Sequence, residues 1–136
     1  MILNVKHRKE TKELKNKDAI LIIDDEEIVR EILLEVMEIA NFRAYCAQTG
    51  KDGIEIFTRN RKNIKLILLD MVMPGLSGLE TYQKLLALDP HIKIILMSGY
   101  PNKEAFHLAN LPENQDFIQK PFSVQEVISK VRQSLA

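Results

Sequence analysis

The chain has one cysteine, Cys46, no tryptophan and no net charge at pH 7, its 19 basic side chains being matched by 19 acidic ones. A lone cysteine excludes an intrachain disulfide and suits a reducing compartment, so a cytoplasmic location is expected. No run approaches the roughly 18 consecutive apolar residues that a membrane-spanning helix needs. The opening residues, Met1-Ile2-Leu3-Asn4-Val5-Lys6, lack the apolar stretch and small-residue cleavage site of a secretory signal. Repeats and low-complexity tracts are absent as well, which excludes solenoid and linker-rich architectures. Neither direct nucleic-acid binding nor direct membrane contact is expected.

What is present is enough for one compact domain: 136 residues, 46% of them hydrophobic and few of those aromatic. Charge is unevenly spread. Residues 1–17 hold five Lys and one Arg against two Glu, a local balance of +4 that leaves −4 for the remainder. That basic segment has no aromatic side chain and mixes Glu10 and Glu13 among its lysines, as a solvated extension or linker would. The expected division is an N-terminal extension over 1–17 and a folded domain over 18–136.

Beyond Lys17 short apolar runs alternate with segments of helical spacing. Ala19–Ile23, Ile64–Leu69, Ile92–Met97 and Phe117–Ile118 read as strands buried on both faces. The run Phe42–Ala47 alternates in polarity, as an exposed edge strand does. Ile28, Val29, Ile32, Leu33, Val36, Ile39 and Ala40 form one apolar helical stripe, and Val124, Val127, Ile128, Val131 and Leu135 another. Thr49-Gly-Lys-Asp52, Ser77-Gly-Leu-Glu80 and Ser123-Val-Gln-Glu126 have the spacing of helix N-terminal caps. Repeated strand–helix alternation predicts an α/β domain with a parallel sheet and right-handed crossovers.

The polar residues that interrupt this pattern fall at the ends of the strands. Asp24 and Asp25 follow the first run, Asp70 the third, Ser98 the fourth and Lys120 the last. In an open parallel sheet those ends converge on one crevice, where such folds bind ligands. Three carboxylates brought together repel one another, and a hard dication such as Mg2+, or Mn2+, removes that conflict through oxygen ligands. Asp70 can then act as a carboxylate nucleophile towards a phosphoryl group, forming an acyl phosphate. The transferring group needs positive charge and donors on its oxygens, which the cation, Lys120 and Ser98 can provide. Each residue alone has a plainer use. An acidic pair suits a helix start, Asp70 or Ser98 a turn, Lys120 a solvated surface and Phe117 the core.

Asp24-Asp25, Asp70-Met-Val-Met73-Pro74 with Gly78, Met97-Ser98-Gly99 and Lys120-Pro121-Phe122 together resemble the signature set of response-regulator receiver domains, over roughly residues 18–135. The resemblance implies a flavodoxin-like, doubly wound five-stranded parallel sheet in order 2-1-3-4-5. The first and fifth helices lie on one face and the other three on the opposite face. It implies a two-component phosphorelay in which a histidine kinase or histidine phosphotransfer protein phosphorylates Asp70. Metal ligands would come from Asp24, Asp25, Asp70 and the backbone carbonyl of Val72. Ser98 and Lys120 would serve the phosphoryl group, Ser98 and Phe117 would form the switch, and the Lys120–Pro121 bond would be cis. The domain would modify itself without being an enzyme. Its switch would act on a downstream protein partner or attached module, and a homodimer through the fourth helix, fifth strand and fifth helix is one form this could take. A stand-alone regulator and a receiver segment of a larger hybrid kinase both remain open.

Three positions depart from the commoner pattern of that family. Phe117 replaces a frequent Tyr, Gly99 a frequent Ala, and Ala109–Gln115 lacks the usual Gly-Ala before the last strand, so the fourth helix is expected to be short or irregular. Val72 and Tyr100, two residues beyond Asp70 and Ser98, are bulky and not acidic, which predicts a long-lived phosphorylated form. A haloacid-dehalogenase-like phosphatase would carry its nucleophile in an Asp-x-Asp motif after the first strand. A flavodoxin-like carrier would need a phosphate loop there. Asp24-Asp25-Glu26-Glu27 is neither.

Overall fold

Aliphatic runs too short for helices and too apolar for an exposed face pair side by side into one parallel sheet. The computed structural model describes residues 18–73, 77–99, 111–112 and 114–136. The strands are β1 (Ala19–Ile23), β2 (Arg43–Ala47), β3 (Ile64–Asp70), β4 (Lys93–Ser98) and β5 (Phe117–Gln119). Their order is β2-β1-β3-β4-β5, every pairing being parallel. Each expected strand is present, with ends shifted by one residue at most.

Four helices lie among the described residues: α1 (Glu27–Ile39), α2 (Gly50–Arg59), α3 (Gly78–Leu88) and α4 (Val124–Leu135). The helix expected between β4 and β5 would fall on residues outside the described ones, as do the extension over 1–17, Pro74 and Tyr100. Period-two alternation along the strands divides the core into two layers. Leu21, Ile23, Ile67, Leu69 and Leu96 face Phe57 of α2 and Tyr82 and Leu85 of α3. Ile20, Ile22, Leu66, Leu68 and Met97 face Leu33, Val36 and Met37 of α1 and Val127 and Val131 of α4. The first and last helices thus share one face, as expected.

The helix ends follow their sequence signals. The Thr49 hydroxyl accepts the Asp52 N–H at 3.0 Å, and Ser77 with Glu80 and Ser123 with Glu126 form complete capping boxes. After α1 the chain reverses through Asn41 at φ 66°, a left-handed residue. The N–H of Phe42 donates to the Met37 carbonyl at 2.9 Å and that of Asn41 to Glu38 at 3.0 Å, which satisfies two terminal carbonyls.

One expectation needs correction. In α1 the stripe is not buried as written: Ile28 is 69% exposed and Ile39 61%, with Ile32 also exposed, while Met37 is fully buried. Apolar side chains occur on more than half the circumference of this helix, so its spacing allows two overlapping stripes. The sheet takes the one running through Leu33, Val36, Met37 and Ala40.

Candidate functional site

Asp70 is the last residue of β3, the strand in the middle of the sheet, and Asp24 follows β1 beside it. Both carboxylates are buried, whereas Asp25 and Glu26 are exposed. The four residues each offer an oxygen, and these oxygens lie within 4.8 Å of one another. Lys120, just past β5, reaches the same point. Its Nζ donates to Asp24 Oδ2 at 2.8 Å and lies 3.6 Å from Asp70 Oδ2 and 3.5 Å from Glu26 Oε1. The other oxygen of Asp24 accepts the Glu26 N–H at 2.9 Å, and Asp70 Oδ1 accepts the Val72 N–H at 3.2 Å.

Backbone contacts hold these groups in register. Met71 N–H donates to the Met97 carbonyl at 2.9 Å, Asp24 N–H to Ala47 at 3.1 Å, and Lys120 N–H to Ser98 at 2.8 Å. Asp70 pairs in register with Met97, so the buried Ser98 stands one residue beyond it at the end of β4. The Lys120–Pro121 bond is cis, as expected. Phe117 is partly buried and packs against the layer of α2 and α3. Val72 presents a side chain that is 69% exposed just beyond Asp70.

Two further residues belong to this site that no strand-end position marks in the sequence. Glu26 joins the acidic cluster, and Arg30 donates through Nη1 to the Asp24 carbonyl at 2.8 Å, one turn into α1. Their signals were only adjacency to the acidic pair and a position one helical turn farther on. His91 is exposed and is not among the clustered residues; His7 and His107 lie outside the described residues. Met73 and Met97 are buried in the core and Met71 packs against it. Cys46 is only partly buried, beside α1 and α4, and burial pushes its thiol up despite the nearby Arg30 charge.

Electrostatics follow from the crowding. Burial raises the Asp70 carboxyl from 3.8 to about 7, opposed by the Val72 N–H and by Lys120 and reinforced by the charge of Asp24 and a hydrogen bond with Asp25. Burial alone would pull the Lys120 ammonium down, but its bond to Asp24 and the charges of Asp24, Asp70 and Glu26 outweigh it, and its pKa is raised. The all-oxygen donor set, four crowded carboxylates of which two are buried, fits a hard dication of the Mg2+ or Mn2+ kind.

A prediction follows for the metal-free protein. The folded pKa of Asp70 lies above its ordinary value, so the folded state binds this proton more tightly than the unfolded chain. The stability it contributes is complete below pH 3.8 and is lost as pH rises through about 7. Urea unfolding from pH 5 to pH 8 should therefore show a decline that Asp70→Asn flattens. Equal slopes in the two proteins would refute the assignment.

A parallel 2-1-3-4-5 sheet with an acidic pocket and a lysine at its carboxyl edge is a doubly wound α/β arrangement of the flavodoxin-like kind. The profile of the response regulator receiver domain matches residues 20–132, and the chain belongs to that family. Members of this family are signalling domains of two-component systems, general to which are phosphorylation on Asp and Mg2+ at an acidic pocket. Among curated relatives, the sporulation initiation phosphotransferase F of Bacillus subtilis is 29% identical over 87% of this chain and 94% of its own length. The response regulator protein TrrA of Thermotoga maritima, solved in complex with Mg2+ and BeF, has a TM-score of 0.74 and 28% identity, covering 86% of this chain and 98% of that one. A receiver domain protein from Clostridium thermocellum has a TM-score of 0.77 and 26% identity, covering 87% and 94%. Other curated relatives are longer proteins, of which this chain spans between 13% and 51%. Among the described residues no helix is long and apolar enough to cross a membrane.

Proposed function

We propose that Asp70 accepts a phosphoryl group from a phosphohistidine of a histidine kinase or phosphotransfer protein. In this reading residues 18–136 are the receiver unit, in the cytoplasm, and 1–17 an extension of it. The observation that carries it is the gathering of Asp24, Asp70 and Lys120, with Nζ 2.8 Å and 3.6 Å from carboxylates at the ends of two other strands. Such a constellation has little value to a fold by itself, since buried like charges cost stability. It suits a phosphoryl group that brings negative charge and a cation that offsets it.

Asp24, Asp25, Asp70 and the Val72 carbonyl would hold the Mg2+, with Mn2+ as a substitute; bound there, it supplies positive charge that keeps Asp70 ionised and shields the incoming phosphoryl oxygens. The rest is work for side chains of this chain. An Asp70 carboxylate oxygen attacks phosphorus in line, the O–P bond forms, and the N–P bond breaks with its electron pair returning to the imidazole nitrogen. Lys120 exchanges part of its contact with Asp24 for a phosphoryl oxygen. The Ser98 hydroxyl turns to donate to another, and the space it leaves admits the Phe117 ring, which has no hydroxyl and gains by burial alone. That rearrangement changes the protein-binding surface beside β4 and β5. The partner is a downstream protein, an attached module or a second copy. Val72, exposed beyond Asp70, places an apolar side chain on the route of attacking water, so the phosphorylated state is long-lived.

Beryllofluoride titration tests the assignment. With Mg2+ present the intact chain should bind beryllofluoride and shift its amide resonances around residues 24–26, 70 and 120. The Asp70→Asn protein should lose at least about a hundredfold in affinity, as removal of a bond-forming oxygen implies. Binding that persists in Asp70→Asn would overturn the reading.

A further inference from the structure

Of the four clustered carboxylates, Glu26 alone has no task in the proposed transfer. Its place is nonetheless fixed by the site. The Glu26 N–H donates to Asp24 Oδ1 at 2.9 Å, and its carboxylate faces Lys120 Nζ at 3.5 Å. Lys120 is shared with Asp24 at 2.8 Å and Asp70 at 3.6 Å, so one ammonium faces three carboxylates. The side chain of Asp24 is fully buried and that of Asp70 nearly so, whereas that of Glu26 is 61% exposed. The exposed carboxylates at the mouth are those of Asp25 and Glu26; with Asp25 given to the cation in the proposed arrangement, Glu26 is the rim charge left facing an approaching donor. Charge at the rim of a cleft favours cations and disfavours anions, and salt weakens both effects.

We infer that Glu26 is a specificity-determining residue, whose carboxylate discriminates against small free phosphodonors of high negative charge and in favour of donors of lower charge. This rests on the reading of Asp70 as phosphoacceptor and deepens it. Bond changes are the same for every donor: the Asp70 O–P bond forms while the P–O or P–N bond of the donor breaks. With acetyl phosphate the electron pair leaves on acetate; with phosphoramidate it leaves on nitrogen, as ammonia. Acetyl phosphate is a dianion at neutral pH, and phosphoramidate carries one negative charge fewer because its nitrogen is protonated. The two donors therefore probe charge while keeping the transferred group constant.

The experiment compares the full-length chain with Glu26→Gln and with the charge-conserving Glu26→Asp, all in Mg2+ at low ionic strength. Asp70 phosphorylation is followed separately with each donor. Glu26→Gln should raise the acetyl phosphate rate about five- to twentyfold and the phosphoramidate rate two- to threefold at most, the size a single rim charge exerts across a few ångströms of partly screened space. Raising salt to about 0.5 M should largely erase the difference, since the Debye length there is only about 4 Å. Glu26→Asp should keep the wild-type preference. Calorimetric Mg2+ affinity, a readout independent of transfer, should fall about threefold in Glu26→Gln at low salt. A donor ratio equal to that of wild type, or an Mg2+ affinity unmoved by the substitution, overturns the inference while leaving Asp70 in place. A wild-type chain that neither donor labels overturns the Asp70 reading itself.

Discussion

Replacing Lys120 by Met should cost the metal-free protein about 3–5 kcal/mol, because it removes one partner of an ion pair whose other member cannot reach water. The Asp24 carboxylate is fully buried and its closest cation is the Lys120 ammonium, at 2.8 Å. Methionine keeps the length and apolar stem of the lysine side chain, so the change reports charge and not packing. The hydrogen bond from Glu26 N–H remains and satisfies Oδ1 only. Without the ammonium, Asp24 and Asp70 face one another uncompensated, and the Asp70 carboxyl loses a charge that holds its pKa down. Mg2+ should recover much of the loss, by about 2.7 kcal/mol at a hundred times its dissociation constant. Chemical denaturation with and without Mg2+ measures both quantities. A loss under about 1 kcal/mol, or a loss that the cation does not reduce, would show that Lys120 is not the charge balancing this pocket.

Gly78→Ala should be comparably severe, for a reason of shape. A Cβ at Gly78 would stand 2.4 Å from Met71 Cα, 2.6 Å from the Asp70 carbonyl oxygen and 2.7 Å from the Met71 carbonyl carbon. All three are backbone atoms, so no side-chain rotation can relieve the clash. Either α3 moves off the end of β3 or the Asp70–Met71 segment shifts. Alanine would otherwise favour the helix by about 1 kcal/mol, so a net loss above about 2 kcal/mol isolates the steric effect. Any displacement of Asp70 also moves a carboxylate of the cation site, and Mg2+ affinity should drop at least about tenfold, as for a ligand moved off its geometry. Gly99→Ala is the control, since a Cβ there meets nothing within 4 Å. If Gly78→Ala and Gly99→Ala unfold at the same denaturant concentration, the tight approach of α3 to β3 is not what positions Asp70.

The strands were legible because Ile20–Ile23 and Leu66–Leu69 are aliphatic on both faces, and a short run of that kind suits little else than a covered parallel strand. The caps at Thr49, Ser77 and Ser123 were legible because their hydrogen bonds close within three residues. The site was legible in outline because strand ends converge. Side-chain reach was not. Glu26 and Arg30 enter the site through contacts to Lys120 and to the Asp24 carbonyl that depend on how α1 leaves the sheet. The burial of Met37 in place of Ile28 and Ile39 has the same origin, since the rotation of α1 about its axis is set by α4 and the sheet and not by its own spacing. Phe117 shows the intermediate case: its strand was readable, but its partial burial comes from the layer it meets.

The sheet supports the two halves of the site unequally. Asp70 ends a seven-residue strand with hydrogen-bonded neighbours on either side, whereas Lys120 follows a three-residue strand that, among the described residues, has a neighbour on one side only. Opening of the fold is easiest where backbone pairing is least. The Asp70 carboxylate is thus moored to the most deeply anchored element and the ammonium to the one most readily released. Strain introduced at the pocket will accordingly be relieved along β5 first, with the floor of the pocket left standing.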